Sequence, residues 1–223
     1  MIVYGSSMSP YVRKVLAFGA EKGLELENRP VGIGSDDPEF LEASPFRKIP
    51  AFRDGDFAIA DSSAIIAYLD AIAPEPNLIP SEARARARCV WFEEFADTLI
   101  MDCGRKLFFN RIVAPMFMGR EGDLNAADLA EREQLPPLLA YLETVVPPDG
   151  GFLVEDRITL ADIAVASPFA NVIHHLGIAV DEERYPRSLR YLQGILARPS
   201  LRDWVDKETR FLDKVRGAAP AMA

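Results

Sequence analysis

A chain of 223 residues with 25 lysines and arginines against 34 aspartates and glutamates has a formal charge of −9 at neutral pH, which argues against a polyanionic partner such as nucleic acid. Its one dense basic run, Arg84, Arg86 and Arg88, alternates with alanines on a helical segment and is soon followed by Glu93, Glu94 and Asp97. With 49% hydrophobic and 26% charged residues the chain can bury a sizeable core without metals or disulfides, so disorder is excluded for most of its length.

The first eighty residues change period repeatedly. Ile2 to Gly5 has strand character, and from Pro10 the residues Val12, Val15, Leu16 and Gly19 recur at helical spacing up to Gly23. Leu26 to Ile33 predicts a second strand, Asp37-Pro38 opens a short helix, and Ser44-Pro45 stops it. Ile49 to Arg53 and Phe57 to Ala60 predict a hairpin whose turn is supplied by the Asp54-Gly55 pair. Ile65, Ile66, Leu69 and Ile72 then form a helix stripe closed by Pro74 and Pro76. The order is β-α-β-α-β-β-α.

Helices predominate afterwards. Residues 77–82 read as a linker between a first domain, 1–76, and an all-helical second one, 83–216, with a frayed tail over 217–223. Ala83 to about Met118 predicts one long or bent helix broken near Pro115, and Asn125 with Asp128 a capping pair opening a helix to Val146. Pro136-Pro137 should kink or split that helix. Thr159 and Asp162 form a second capping pair, with Ile158 and Ile163 as a hydrophobic staple. The apolar stretch from Ile158 to Val180 contains Asp162, Pro168, Asn171, His174 and His175, which suits a core helix rather than a membrane span. Two final helices follow, about 186–197 and 200–215.

Cys89 and Cys103 lie 14 residues apart in one helical stretch, about 21 Å along its axis, too far to bridge. They point to a reducing, cytoplasmic setting. His174 and His175 are adjacent and cannot share one metal face, so no metal site is expected. The absence of an HExxH motif, a Ser-His-Asp arrangement and a glycine-rich phosphate loop sets aside zinc protease, serine hydrolase and nucleotide-enzyme chemistry.

Ser6, Ser7 and Ser9 fill the loop between the first strand and the first helix, where unsatisfied N–H groups and the helix dipole favour anions and thiolates. Ser9 before Pro10 is also a normal N-cap, and spacing alone leaves both roles open. Ser9-Pro10-Tyr11-Val12 stands where thioredoxin-like proteins carry their active-site tetrad. Ser44-Pro45-Phe46-Arg47-Lys48-Ile49-Pro50 resembles a loop ending in cis-proline, and Asp61-Ser62 the acid-serine pair before the third helix. With Thr159-Leu160-Ala161-Asp162 in the helical half, nearly the whole chain resembles a cytosolic glutathione transferase.

That resemblance implies a thioredoxin-like βαβαββα domain followed by an all-α domain, with glutathione as co-substrate and no metal. Ile49 and cis-Pro50 would meet the cysteinyl unit by strand-like pairing, Asp61 and Ser62 the γ-glutamyl end, and Lys48 the glycyl carboxylate. Ser9, aligned with theta-like and delta-like enzymes, or Ser6, aligned with the zeta-like Ser-Ser-Cys motif, would hold the thiolate. Met8 replaces the cysteine of that motif, which argues against zeta-like isomerisation. Tyr11, Phe108, Arg111 and Phe117, with Phe109, Met116 and Met118, would wall a pocket for a small electrophile. The resemblance further implies a detoxifying, cytoplasmic homodimer. Its alternatives are another glutathione-dependent reaction (isomerisation, dehalogenation, peroxide reduction) or a non-catalytic interaction module on the same fold.

Overall fold

The computed structural model describes residues 1–218. Four strands, β1 (Ile2–Tyr4), β2 (Glu27–Arg29), β3 (Ala51–Asp54) and β4 (Phe57–Ala60), form one mixed sheet in the order β2-β1-β3-β4. β1 runs parallel to β2, Val3 opposite Asn28, and antiparallel to β3, Val3 opposite Phe52. Helix α1 (Pro10–Glu21) makes the crossover between the parallel strands, as such a pair requires. α2 (Pro38–Ala43) and α3 (Ser62–Ile72) complete the first half. Val12, Val15 and Leu16 are buried as their spacing predicted, and so are Ile65, Ile66 and Leu69, whereas Ile72 at the end of that stripe is exposed.

Two strand boundaries are corrected, both by proline. The second strand ends at Arg29 rather than Ile33 because Pro30 has no N–H to continue the ladder. The hairpin starts at Ala51 rather than Ile49 because Pro50 precedes it, and its two-residue loop is Gly55-Asp56, with Asp54 still paired to Phe57.

The second half is helical. α4 (Ala83–Glu94), α5 (Met101–Phe108) and α6 (Ala114–Phe117) form one continuous rod joined by π-helical turns at Phe95–Ile100 and Phe109–Val113. The rod therefore passes through Pro115, where a break was expected, and ends at Phe117. α7 (Leu124–Leu129) is capped by Asp123, whose carboxylate accepts from the Ala126 N–H at 2.9 Å, and not by the expected Asn125 and Asp128 pair. A π turn at Ala130–Gln134 joins it to α8 (Leu135–Val145). Wide turns thus precede both Pro115 and Pro136-Pro137, where a pyrrolidine ring would otherwise meet the carbonyl four residues back.

α9 (Leu160–Ala170) is buried on every face and packs against α1, α4 and α10 (Pro186–Leu196). Its capping box forms as predicted: the Thr159 N–H and hydroxyl both reach Asp162 Oδ2, at 2.8 and 3.0 Å. Tyr191 and the Leu153 N–H satisfy the other Asp162 oxygen. α11 (Pro199–Ala218) is the last described helix and takes in Gly217 and Ala218 of the expected tail, while 219–223 lie outside the described residues.

Candidate functional site

The serine loop hangs from a glycine that nothing else could replace. Gly5 ends β1 at φ 130°, and a Cβ there would lie 2.7 Å from Val12 Cγ2 and 2.9 Å from Ile49 Cβ. The chain then turns through Ser6 to Ser9, with the Ser9 N–H donating to the Ser6 carbonyl at 3.0 Å, and enters α1 at Pro10. Ser9 has extended N-cap geometry, φ −72° and ψ 123°, yet its hydroxyl makes no capping hydrogen bond. Of the two roles left open by spacing, capping is therefore not the one its side chain performs.

Residues from both halves of the chain line two adjoining cavities around this loop. The first, about 620 Å³, is the more polar of the two and brings together Lys48, Ile49, Pro50, Asp61 and Ser62. Ser44 fixes its floor, its hydroxyl accepting from the Lys48 N–H at 2.8 Å and donating to the Lys48 carbonyl at 2.7 Å. The Ile49–Pro50 peptide is cis. Asp61 sits at φ 85°, a conformation costing an L-residue about 1–3 kcal/mol, and its Oδ1 caps α3 through the N–H groups of Ser63 and Ala64 at 2.9 and 3.1 Å. Asp61 is thus a helix cap that also lines the groove. Glu94 and Asp97 add to the acidic side, and spacing gave no sign of them because they arrive from the second half.

The second cavity, about 600 Å³, is largely apolar and is lined by Ser6 and Ser9 together with Met8, Met101, Phe108, Phe109 and Phe117. Phe117 stacks nearly parallel to Phe211 of α11, centroids 6.0 Å apart, and both face this space. Ile49 borders both cavities, so the seam between them runs beside the cis peptide and the serine loop.

Four expected wall residues lie elsewhere. Tyr11 lines the polar groove instead, its hydroxyl donating to the Asp97 carbonyl at 2.8 Å. Burial, then Asp97 and Asp61, push that hydroxyl up to about 12, so it stays a donor. Arg111 turns away to Asp128 and Glu131, at 2.8 and 2.5 Å, because those carboxylates on the following helix face it across the rod. Met116 and Met118 do not line the cavity either, whereas Arg105 does.

Beneath the loop lies a buried polar cluster that sequence reading missed. Arg13, fully buried on α1, forks onto Glu208 of α11 at 2.6–3.3 Å and donates to the Ser167 carbonyl and Asn171 Oδ1 at 2.6 and 2.8 Å. Asn171 Nδ2 donates to the Met8 carbonyl at 3.0 Å and the Ser167 hydroxyl to the Pro10 carbonyl at 2.8 Å. The residues on either side of Ser9 are therefore both pinned from the second half. Lys14, also buried, bridges Glu93 and Asp97 at 3.0 and 2.5 Å.

Comparison with known proteins decides what this arrangement belongs to. The glutathione S-transferase N-terminal domain model matches residues 3–77 and the C-terminal domain model residues 108–208. The glutathione S-transferase of Hyoscyamus muticus is 30% identical over 205 residues, spanning 90% of this chain and 95% of that protein. The chain belongs to the glutathione S-transferase family. Its fold, its enzyme class and its use of glutathione are those of that family. A stringent starvation protein A homolog from Coxiella burnetii is 27% identical over 217 residues, 97% of each chain. A solved glutathione S-transferase from Rhodospirillum rubrum F11 superposes with a TM-score of 0.81 at 24% identity, covering 91% of this chain and 90% of its own, a likeness of fold.

Among the described residues, no helix is long and apolar enough to cross a membrane, and no three His, Cys, Asp or Glu side chains are grouped to hold a metal.

Proposed function

We propose that this transferase binds glutathione in the polar groove, with its sulfur at the seam, and directs the thiolate onto small apolar electrophiles held in the second cavity. Ile49 would pair with the cysteinyl backbone beside Pro50, Lys48 would meet the glycyl carboxylate, and Asp61 with the first turn of α3 at Ser62 would take the γ-glutamyl ammonium and carboxylate. Ser9 donates to the thiolate. The observation that carries this reading is the Ser9 hydroxyl, standing at a helix N-terminus without a capping bond and facing the cavity beside the seam.

The chemistry follows from charge. A free thiol with pKa about 8.5 is only a few per cent ionised at neutral pH, and a hydroxyl donor at a helix N-terminus lowers that value by about a unit or more. The sulfur then attacks the electrophilic carbon, a C–S bond forms, and the leaving group departs with its electron pair. Ultraviolet titration of the bound thiolate tests the assignment. Ser9→Ala should raise the bound thiol's pKa by about one unit and lower kcat/KM at neutral pH about tenfold or more, with Ser6→Ala much milder. The reverse order would transfer the role to Ser6.

The same reading divides the chain at residues 77–82 and makes it a cytoplasmic, detoxifying homodimer. Exposed Val90 and Trp91 on α4, beside Arg84, Arg86 and Arg88, support a dimer face, and light scattering should give twice the chain mass.

A further inference from the structure

Met101, Gly104, Arg105 and Phe108 line the apolar cavity at spacings of three, four and seven, the signature of one helix face. Two members of that stripe have no account in the packing. Gly104 is buried, yet a Cβ built on it would meet nothing within 4 Å, so no neighbour requires glycine there. Glycine in a helix interior costs about 0.5–1 kcal/mol relative to alanine, and what it leaves here is open space in the cavity wall.

Arg105 stands next to that space and is the one charged residue among those lining the cavity. Its nearest carboxylate, Asp102, is 3.8 Å away, beyond hydrogen-bond distance, and Lys106 takes the other Asp102 oxygen at 2.6 Å. Arg111, by contrast, is saturated by two carboxylates. The Arg105 guanidinium is 67% exposed, so it stands at the cavity's rim with water and no carboxylate on its donors. A cation at the rim beside a vacant patch of helix surface, over an otherwise apolar and aromatic cavity, suits one kind of guest: a flat apolar body with an anionic substituent.

We infer that the second substrate is an aromatic or similarly flat electrophile bearing a carboxylate or equivalent anion, seated over Gly104 with that anion on Arg105. This rests on the reading of the cavity as the electrophile site. Phe117 and Phe211, stacked on each other in the same cavity, supply aromatic surface for the apolar body, and the reacting carbon faces the seam where the sulfur lies.

The test uses 4-chloro-3,5-dinitrobenzoate and its neutral carboxamide. In both, the glutathione thiolate forms a C–S bond at the chlorine-bearing carbon and chloride leaves. Each kcat/KM is divided by the uncatalysed rate with glutathione, which removes the difference in ring activation. The wild type should favour the carboxylate by about two- to fivefold, the order expected for an ion pair at a solvent-exposed guanidinium. Arg105→Gln should abolish that preference, Arg105→Lys should restore part of it, and Arg202→Gln on the outer surface should leave the ratio unchanged.

Equal wild-type rates for the two compounds overturn the inference, as does a preference that survives in Arg105→Gln. An Arg105 that only stabilised charge developing on the ring would slow both compounds alike and leave the ratio intact, which also overturns it. Turnover of the carboxamide separates the two levels of the argument: with it present, failure of the ratio removes the anion site alone. Turnover of neither compound, with glutathione bound in calorimetry, removes the electrophile cavity and the anion site together.

Discussion

Replacing Glu208 by glutamine should be among the most damaging single changes outside the core, and its size follows from the burial of its partner. Arg13 is fully buried and Glu208 nearly so, and burial holds the Glu208 carboxyl above its ordinary range even with the guanidinium 2.6 Å away. Desolvation thus outweighs attraction, and the pair is not a net source of stability compared with an apolar replacement. Removing one partner is another matter. Glu208→Gln leaves a cation in the interior facing neutral acceptors alone, the Ser167 carbonyl, Asn171 Oδ1 and the new amide oxygen, a change worth about 3–5 kcal/mol. For a chain of this length that lowers Tm by about 6–20 °C. Urea unfolding followed by the fluorescence of Trp91 and Trp204 measures it, with the m-value unchanged. Arg13→Met combined with Glu208→Leu should recover most of the loss, because no orphaned charge remains. A Glu208→Gln loss below about 1 kcal/mol, or a double variant as unstable as the single, would refute the reasoning.

Two further outcomes follow from the same interior. Burial, then the positive charge of Arg13, His174 and Arg216, lowers His175 to about 3, while its ordinary value is about 6.5, so the unfolded chain binds an extra proton between those limits. Stability supplied by the neutral ring is present above pH 6.5 and lost on acidification, about 2 kcal/mol between pH 7 and pH 5, and His175→Gln should flatten the urea midpoints by that amount. Parallel pH profiles for the two proteins would exclude it. Cys89 and Cys103 are buried, with both thiols pushed up to about 11, so a chromogenic disulfide at pH 8 should label neither in the native protein and both in urea. Labelling of the folded protein within minutes would contradict that burial.

The parts of the site legible in the sequence are those whose chemistry is local. Ser9 before Pro10, Ile49 before Pro50 and Asp61 before Ser62 each declare a backbone event, a helix entry or an extended step, within a few residues. All three lie on the cavities. The Thr159 and Asp162 capping box was equally readable, since both of its partners lie within one turn. Strand ends were less so. Leu26 to Ile33 reads as one strand, but a single missing N–H at Pro30 decides where pairing stops.

What the sequence withheld was whatever depends on partners far along the chain. Arg13 and Lys14 have no acidic partner nearby along the chain: Arg13 meets Glu208 across 195 positions and Lys14 meets Glu93 across 79. No window of periodicity spans such distances. The choice between Arg105 and Arg111 turns on the same point. Six residues apart, with a π-helical turn beginning between them, they lie on different faces of the rod, so at most one can look squarely into a given cavity. Their own neighbours, a phenylalanine-rich run in each direction, do not say which. The answer comes from the acidic side chains of the helix that follows: Asp128 and Glu131 neutralise Arg111, and Arg105 is left as the cation that a bound anion would complete.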